Sequence, residues 1–246
     1  MKKDYLVSKS NKLISSRYDL SLQEQRIILT LVSLINPTEH TEFFKYDLKI
    51  SEFCELIGVE NTNHTYIAKI TKQLMTRVIE IEDNEELLQV HWISSCKYHK
   101  QQGYVEIELH KELAPYLLHL KKQFTSYYLS NVLQMKSKYS IRMYELFKSN
   151  QFKRVCSFNV DELRSILKCE SYSVYANFKN RVIEQALKEI NSQTDVFATY
   201  TEIKQGRKIV ALEFKIESSS KLESELYWSE EKQDIFGEKY RQGLLL

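Results

Sequence analysis

Asn177, Asn180, Arg181, Glu184 and Lys188 fall at helical spacing, with positions 177, 181, 184 and 188 on one side. These groups suit the edges of nucleic-acid bases. A guanidinium can hold guanine O6 and N7 through two hydrogen bonds, and a carboxamide can pair with adenine. Each such bidentate contact discriminates between bases by about 1–3 kcal/mol. The same residues would equally form a solvated helix face, with Glu184 pairing along the helix with Arg181 and Lys188. A second set, Asn63, His64, Lys69, Lys72, Gln73 and, one turn beyond, Arg77, offers mainly point charges. Ammonium groups suit phosphates, whereas planar groups select bases. Two basic stretches, Lys97-Tyr98-His99-Lys100 and Lys204-Gln205-Gly206-Arg207-Lys208, have the composition of exposed turns that would meet a polyanion.

The constellations of common catalytic sites are missing. There is no G-x-x-x-x-G-K-[ST] phosphate loop and no G-x-S-x-G nucleophile turn. The histidines at 40, 64, 91, 99, 110 and 119 form no H-x-x-x-H pair. A nicking enzyme needs two histidines around one apolar residue to hold a metal, plus a nucleophilic tyrosine; His91-Trp92-Ile93 lacks the second histidine. Cysteines 54, 96, 156 and 169 show no C-x-x-C spacing and read as buried or incidental thiols. The expectation is a chain without catalytic residues, metal site or cofactor.

The elements that must carry these residues occur twice. Ile50-Ser51-Glu52-Phe53-Cys54-Glu55-Leu56-Ile57 is answered by Val160-Asp161-Glu162-Leu163-Arg164-Ser165-Ile166-Leu167 at an offset of 110 (160 − 50). Tyr66, Ile70, Leu74, Met75 and Val78 match Phe178, Val182, Ala186, Leu187 and Ile190 at an offset of 112 (178 − 66). A strand, a short helix, a long helix and a hairpin, repeated, is the order of a tandem winged-helix protein. In that fold the third helix enters the major groove.

Reading along the chain, residues 1–20 form a polar lead. Ser21 with Glu24 makes a capping box that opens a helix over 22–35, stopped at Asn36-Pro37. A strand over 43–50 follows, then a helix capped by Ser51 and ended at Gly58, and a helix from Thr62 or Asn63 to about Arg77. Residues 78–109 alternate around Asn84 and Gly103 as a hairpin or three-stranded wing, and 110–120 form a short helix. The segment 125–150 reads as one helix. The second copy runs strand 155–160, helix 161–168, helix 175–192 and hairpin strands 196–203 and 208–216.

The 246 residues allow two domains, each able to bury its own core. Only 5 Gly and 2 Pro occur, so regular elements dominate. Residues 217–246 carry seven acidic and four basic groups, so residues 1–216 hold a net +5 out of the total +2. That surplus permits nucleic-acid binding. No apolar run approaches the ~20 residues of a membrane span. The basic start leads into Ser-Lys-Ser-Asn rather than an apolar signal core, so a cytoplasmic location is expected.

Three stretches carry a resemblance: Asn11-Lys12-Leu13-Ile14 with Tyr18 to Arg26, Tyr139-Ser140-Ile141-Arg142-Met143-Tyr144-Glu145-Leu146, and Phe178 to Ile190 with the 196–216 hairpin. On them the chain resembles the iteron-binding plasmid replication initiators of the RepA/RepB/RepE type over about residues 9–216. The resemblance implies an α+β fold of two tandem winged-helix domains joined by a long helix. Residues 1–122 would dimerise and contact backbone, and residues 123–216 would make the main sequence-reading contacts; the resemblance leaves out residues 217–246, which by composition form a polar acidic tail. It further implies double-stranded DNA as ligand, at origin direct repeats and an operator. It also implies a homodimer in equilibrium with monomer, and contact with host initiator and helicase-loading machinery. A winged-helix repressor without an origin role stays open, as do a rolling-circle nicking enzyme and a pure interaction module.

Overall fold

The computed structural model describes residues 5–37, 45–56, 64–83 and 85–219. Strand β1 (Leu6–Ser10) leads into helix α1 (Asn11–Ser15) and strand β2 (Arg17–Tyr18). Helix α2 (Leu22–Ser33) opens on the expected capping box: the Ser21 hydroxyl accepts from Glu24 N–H and the Glu24 carboxylate from Ser21 N–H. Its apolar side chains point inward almost all round, and Ile27, Ile28, Leu31 and Val32 are buried. Strand β3 (Lys45–Lys49), helix α3 (Ile50–Leu56) and helix α4 (His64–Leu74) follow. Gly58, Thr62, Asn63 and the tail from 220 onward lie outside the described residues.

Four strands come next: β4 (Val78–Asp83), β5 (Glu86–His91), β6 (Ile93–His99) and β7 (Tyr104–Leu109). They do not make one wing. β4 and β5 join β2 in one sheet, whereas β6 and β7 join β3 in another, in the order β3-β7-β6. The break falls at Trp92, whose indole is buried. Past a single-turn 3₁₀ helix at Lys111–Leu113 comes helix α5 (Ala114–Leu117).

The segment 125–150 is not one helix. It divides into strand β8 (Phe124–Tyr128), helix α6 (Ser130–Leu133) and helix α7 (Lys138–Asn150). β-Branched and aromatic residues favour strand at Thr125-Ser126-Tyr127-Tyr128. β1 supplies the partner edge, with Val7 opposite Tyr127. Residues 5–20 of the polar lead are therefore structured: Val7, Leu13 and Ile14 are fully buried.

The second copy runs strand β9 (Val155–Asn159), helix α8 (Val160–Ile166), helix α9 (Tyr175–Phe178), a π turn over Lys179–Ile183, helix α10 (Glu184–Gln193), and strands β10 (Val196–Gln205) and β11 (Lys208–Ser218). Its sheet order, β10-β11-β9, matches β6-β7-β3 of the first copy. In both, the strand ahead of the short helix pairs with the second hairpin strand. The duplication in sequence is thus a duplication in topology.

Residues of the stretches that carried the resemblance anchor helix α7 against the start of the chain and, through Arg142, reach the second copy. Lys9 Nζ lies 2.6 Å from Glu145 Oε1, with both side chains at most 1% exposed. Tyr127 OH donates to the same oxygen. The Arg142 guanidinium sits 3.8 Å above the Tyr18 ring and donates to Tyr18 OH, Ser16 O and, across the copies, Ile166 O. Arg26 donates to Leu133 O and Met135 O, and Gln25 to Lys138 O. A second tie joins Lys168 Nζ to Glu80 Oε2 at 2.8 Å. Unpaired buried charges would cost several kcal/mol each, so this pairing fixes where α7 sits.

Candidate nucleic-acid interface

Helix α9, the π turn and α10 form one continuous rod. Phe178, Val182, Ala186 and Ile190 are buried as expected, joined by Ile183. The opposite side exposes Asn177, Asn180, Arg181, Glu184 and Lys188 together. Arg181 makes no hydrogen bond or ion pair among the described residues. Glu184 does not pair along the helix; its Oε1 accepts from Tyr200 OH on β10 at 2.6 Å.

The π turn explains a detail of the repeat. In the first copy the buried side of α4 is Ile67, Ile70, Thr71 and Leu74. Tyr66, Met75 and Val78, matched by spacing to inward positions, are 38–41% exposed. At Tyr66 the phase is shifted by one residue, whereas Met75 and Val78 lie past the end of α4. Ile67 corresponds to Phe178 at an offset of 111 (178 − 67), but Leu74 corresponds to Ala186 at 112 (186 − 74). The second copy holds one extra residue between them, where the π turn lies; such insertions recur at functional sites.

On α4, Lys69, Lys72 and Gln73 are exposed and form the anticipated ridge. Arg77 stands apart from it. Its Nε donates to both Glu24 oxygens at 3.1 and 3.2 Å, tying the exit of α4 to the start of α2. Asn63 is outside the described residues, as is the side chain of His64.

The hairpin tips differ. In the second copy the turn is Gly206-Arg207, and Gly206 adopts φ +62, the left-handed region that tight turns favour for glycine. Lys204, Arg207 and Lys208 are exposed there, Lys208 Nζ lying 3.9 Å from Asp161 Oδ2. In the first copy Lys100 lies in the turn, but Lys97 lies within β6 opposite Glu106 rather than at the tip. It is exposed on the wing's flank.

Spacing alone missed Tyr175, Lys179, Tyr200 and Glu202. Tyr175 OH and Lys179 Nζ both donate to Glu202 Oε1 at 2.9 Å. The signal was present: Tyr175 and Lys179 are four apart on a helix, and Ala198, Tyr200 and Glu202 alternate on the strand face toward it. The hydrogen bonds from Lys179 and Tyr175 hold the Glu202 carboxyl below its ordinary range.

Burial pushes the Tyr18, Tyr127 and Tyr144 phenols up. It likewise raises the Cys156 thiol to about 11 and the Cys169 thiol to about 12. Among the described residues no group of three His, Cys, Asp or Glu could hold a metal ion. No helix among them is long and apolar enough to cross a membrane.

Comparison with known proteins gives two matches along the chain. Residues 6–148 match the family described as "Initiator Replication protein, WH1", and residues 159–216 match "Initiator Rep protein, WH2". A "Replication initiation protein" of Escherichia coli is 30% identical over 232 residues, covering 87% of this chain and 70% of that protein. The "PI protein" of Escherichia coli is 29% identical over 152 residues, covering 54% of this chain and 50% of that protein. An "Uncharacterized 27.6 kDa protein" of Escherichia coli is 23% identical over 218 residues, covering 82% of this chain and 91% of that protein.

Proposed function

This chain belongs to the plasmid replication initiator family with its two winged-helix domains, and on that footing we propose that it binds double-stranded DNA sequence-specifically. Its targets are the direct repeats, or iterons, of a plasmid origin, where it initiates replication, and an operator at its own promoter. The observation that carries this reading is the exposed face of Asn177, Asn180, Arg181, Glu184 and Lys188, backed by a buried apolar stripe and flanked by the Lys204, Arg207 and Lys208 wing.

In this reading, residues 123–216 read bases. Residues 1–122 contact phosphates through Lys69, Lys72, Gln73, Lys97 and Lys100 and form a homodimer in equilibrium with monomer. The monomer engages the host initiator and helicase-loading machinery in the cytoplasm. Arg77 has a structural partner in Glu24 and contributes positive field rather than a free phosphate contact. The chain acts by binding, not by catalysis.

A mobility-shift titration tests this with the non-coding DNA upstream of its own gene. The expected result is a retarded complex that survives an excess of scrambled competitor. Equal competition by scrambled DNA would overturn sequence specificity.

A further inference from the structure

The helix and the wing of the second copy are joined by side-chain hydrogen bonds in which a carboxylate of each accepts from the other. The strand carboxylate Glu202 holds the helix cation Lys179 and the Tyr175 hydroxyl, each at 2.9 Å. The helix carboxylate Glu184 holds the strand phenol Tyr200 at 2.6 Å. Lys179 Nζ also lies 5.9 Å from the centre of the Tyr200 ring. Burial, with the hydrogen bond to Glu202, pushes the Tyr175 phenol up, so it stays protonated and can donate.

Lys179 sits in sequence between Asn177 and Asn180-Arg181, beside the base-reading face, and its side chain is 36% exposed. A free ammonium at that place would attract the phosphate of any sequence. Phosphate contacts add affinity without information, and each neutralised phosphate adds ~0.9 to the salt slope. Here that charge is engaged by Glu202 from within the protein.

We propose that Glu202 is a positioning residue that keeps Lys179 off the DNA backbone, suppressing sequence-independent binding while holding recognition helix and wing as one unit. The inference rests on the second copy being the DNA reader. Its first consequence concerns non-specific affinity and its second concerns discrimination between sequences.

The test is binding of the full chain to a duplex bearing the origin repeat and to a random duplex, across a salt series. Glu202→Gln should bind random DNA several-fold more tightly, with a slope steeper by about one phosphate. Repeat binding should change less, so discrimination falls. Lys179→Met in the Glu202→Gln background should return the random-DNA slope to the wild-type value. Lys179→Met alone should leave that slope unaltered. A Glu202→Gln slope equal to wild type would overturn the proposal. So would a Lys179→Met single variant that loses one phosphate of slope. Wild type failing to discriminate between the two duplexes would instead overturn the reading of the second copy itself, and the clasp with it.

Discussion

In the proposed reading, Arg181 is the side chain on which base reading most depends. It is exposed, unpaired among the described residues, and carried on a rod whose other side is buried. Replacing it with alanine should cost about 1–3 kcal/mol of discrimination at one base pair and relax the preference there. Lys69→Ala should instead weaken binding to all sequences evenly and flatten the salt slope by about one unit. Competition binding against single-base variants of the repeat separates the two; an unchanged slope would remove Lys69 from the phosphate contacts. The exposed face was legible because helical spacing sorts residues by side. The partners of Glu184, Lys179 and Arg77 were not, because they lie on other elements: Tyr200, Glu202 and Glu24.

At the scale of elements, what holds helix α7 and its neighbours in place is partly electrostatic and buried. Burial alone would raise the Glu145 carboxyl, but Lys9 and Arg142, with the hydrogen bonds from Lys9 and Tyr127, hold it below its ordinary range. A carboxyl depressed in the folded state contributes stability above its unfolded value of about 4.3. That contribution is lost as pH falls through the folded value. Lys9→Met should therefore destabilise the protein by about 3–5 kcal/mol at neutral pH, since it strips a buried carboxylate of one partner. The penalty should shrink under acid conditions as Glu145 protonates. Urea melts at neutral and acid pH measure this, and a penalty constant with pH would contradict it. Nothing in the polar lead marked Lys9 as buried. Its strand is defined by pairing with β8, more than a hundred residues away, as the Ser8–Ser126 hydroxyl contact at a separation of 118 shows. Local pattern carries no information about such a partner. For the same reason Thr125–Tyr128 read as helix beside a strongly helical successor.

At the scale of the whole molecule, one scaffold serves twice, and its two copies expose different chemistry. Part of the duplication's buried stripe was legible from spacing, since Ile70 and Leu74 are buried like Val182 and Ala186, whereas Tyr66, Met75 and Val78 are exposed. The one-residue difference at the π turn was not, because it alters helical phase without altering composition. The copies are tied through Arg142 to Ile166 and through Lys168 to Glu80, so they present their faces in a fixed relation. In the proposed reading, a base-reading copy tied to a phosphate-contacting one should protect DNA in a regular pattern. The most direct measurement is footprinting of the plasmid DNA flanking its own gene. The account predicts protection of tandem direct repeats, spaced by close to whole helical turns of about 10–10.5 base pairs each. Protection of no repeat, at concentrations where the protein retards the same DNA, would contradict it.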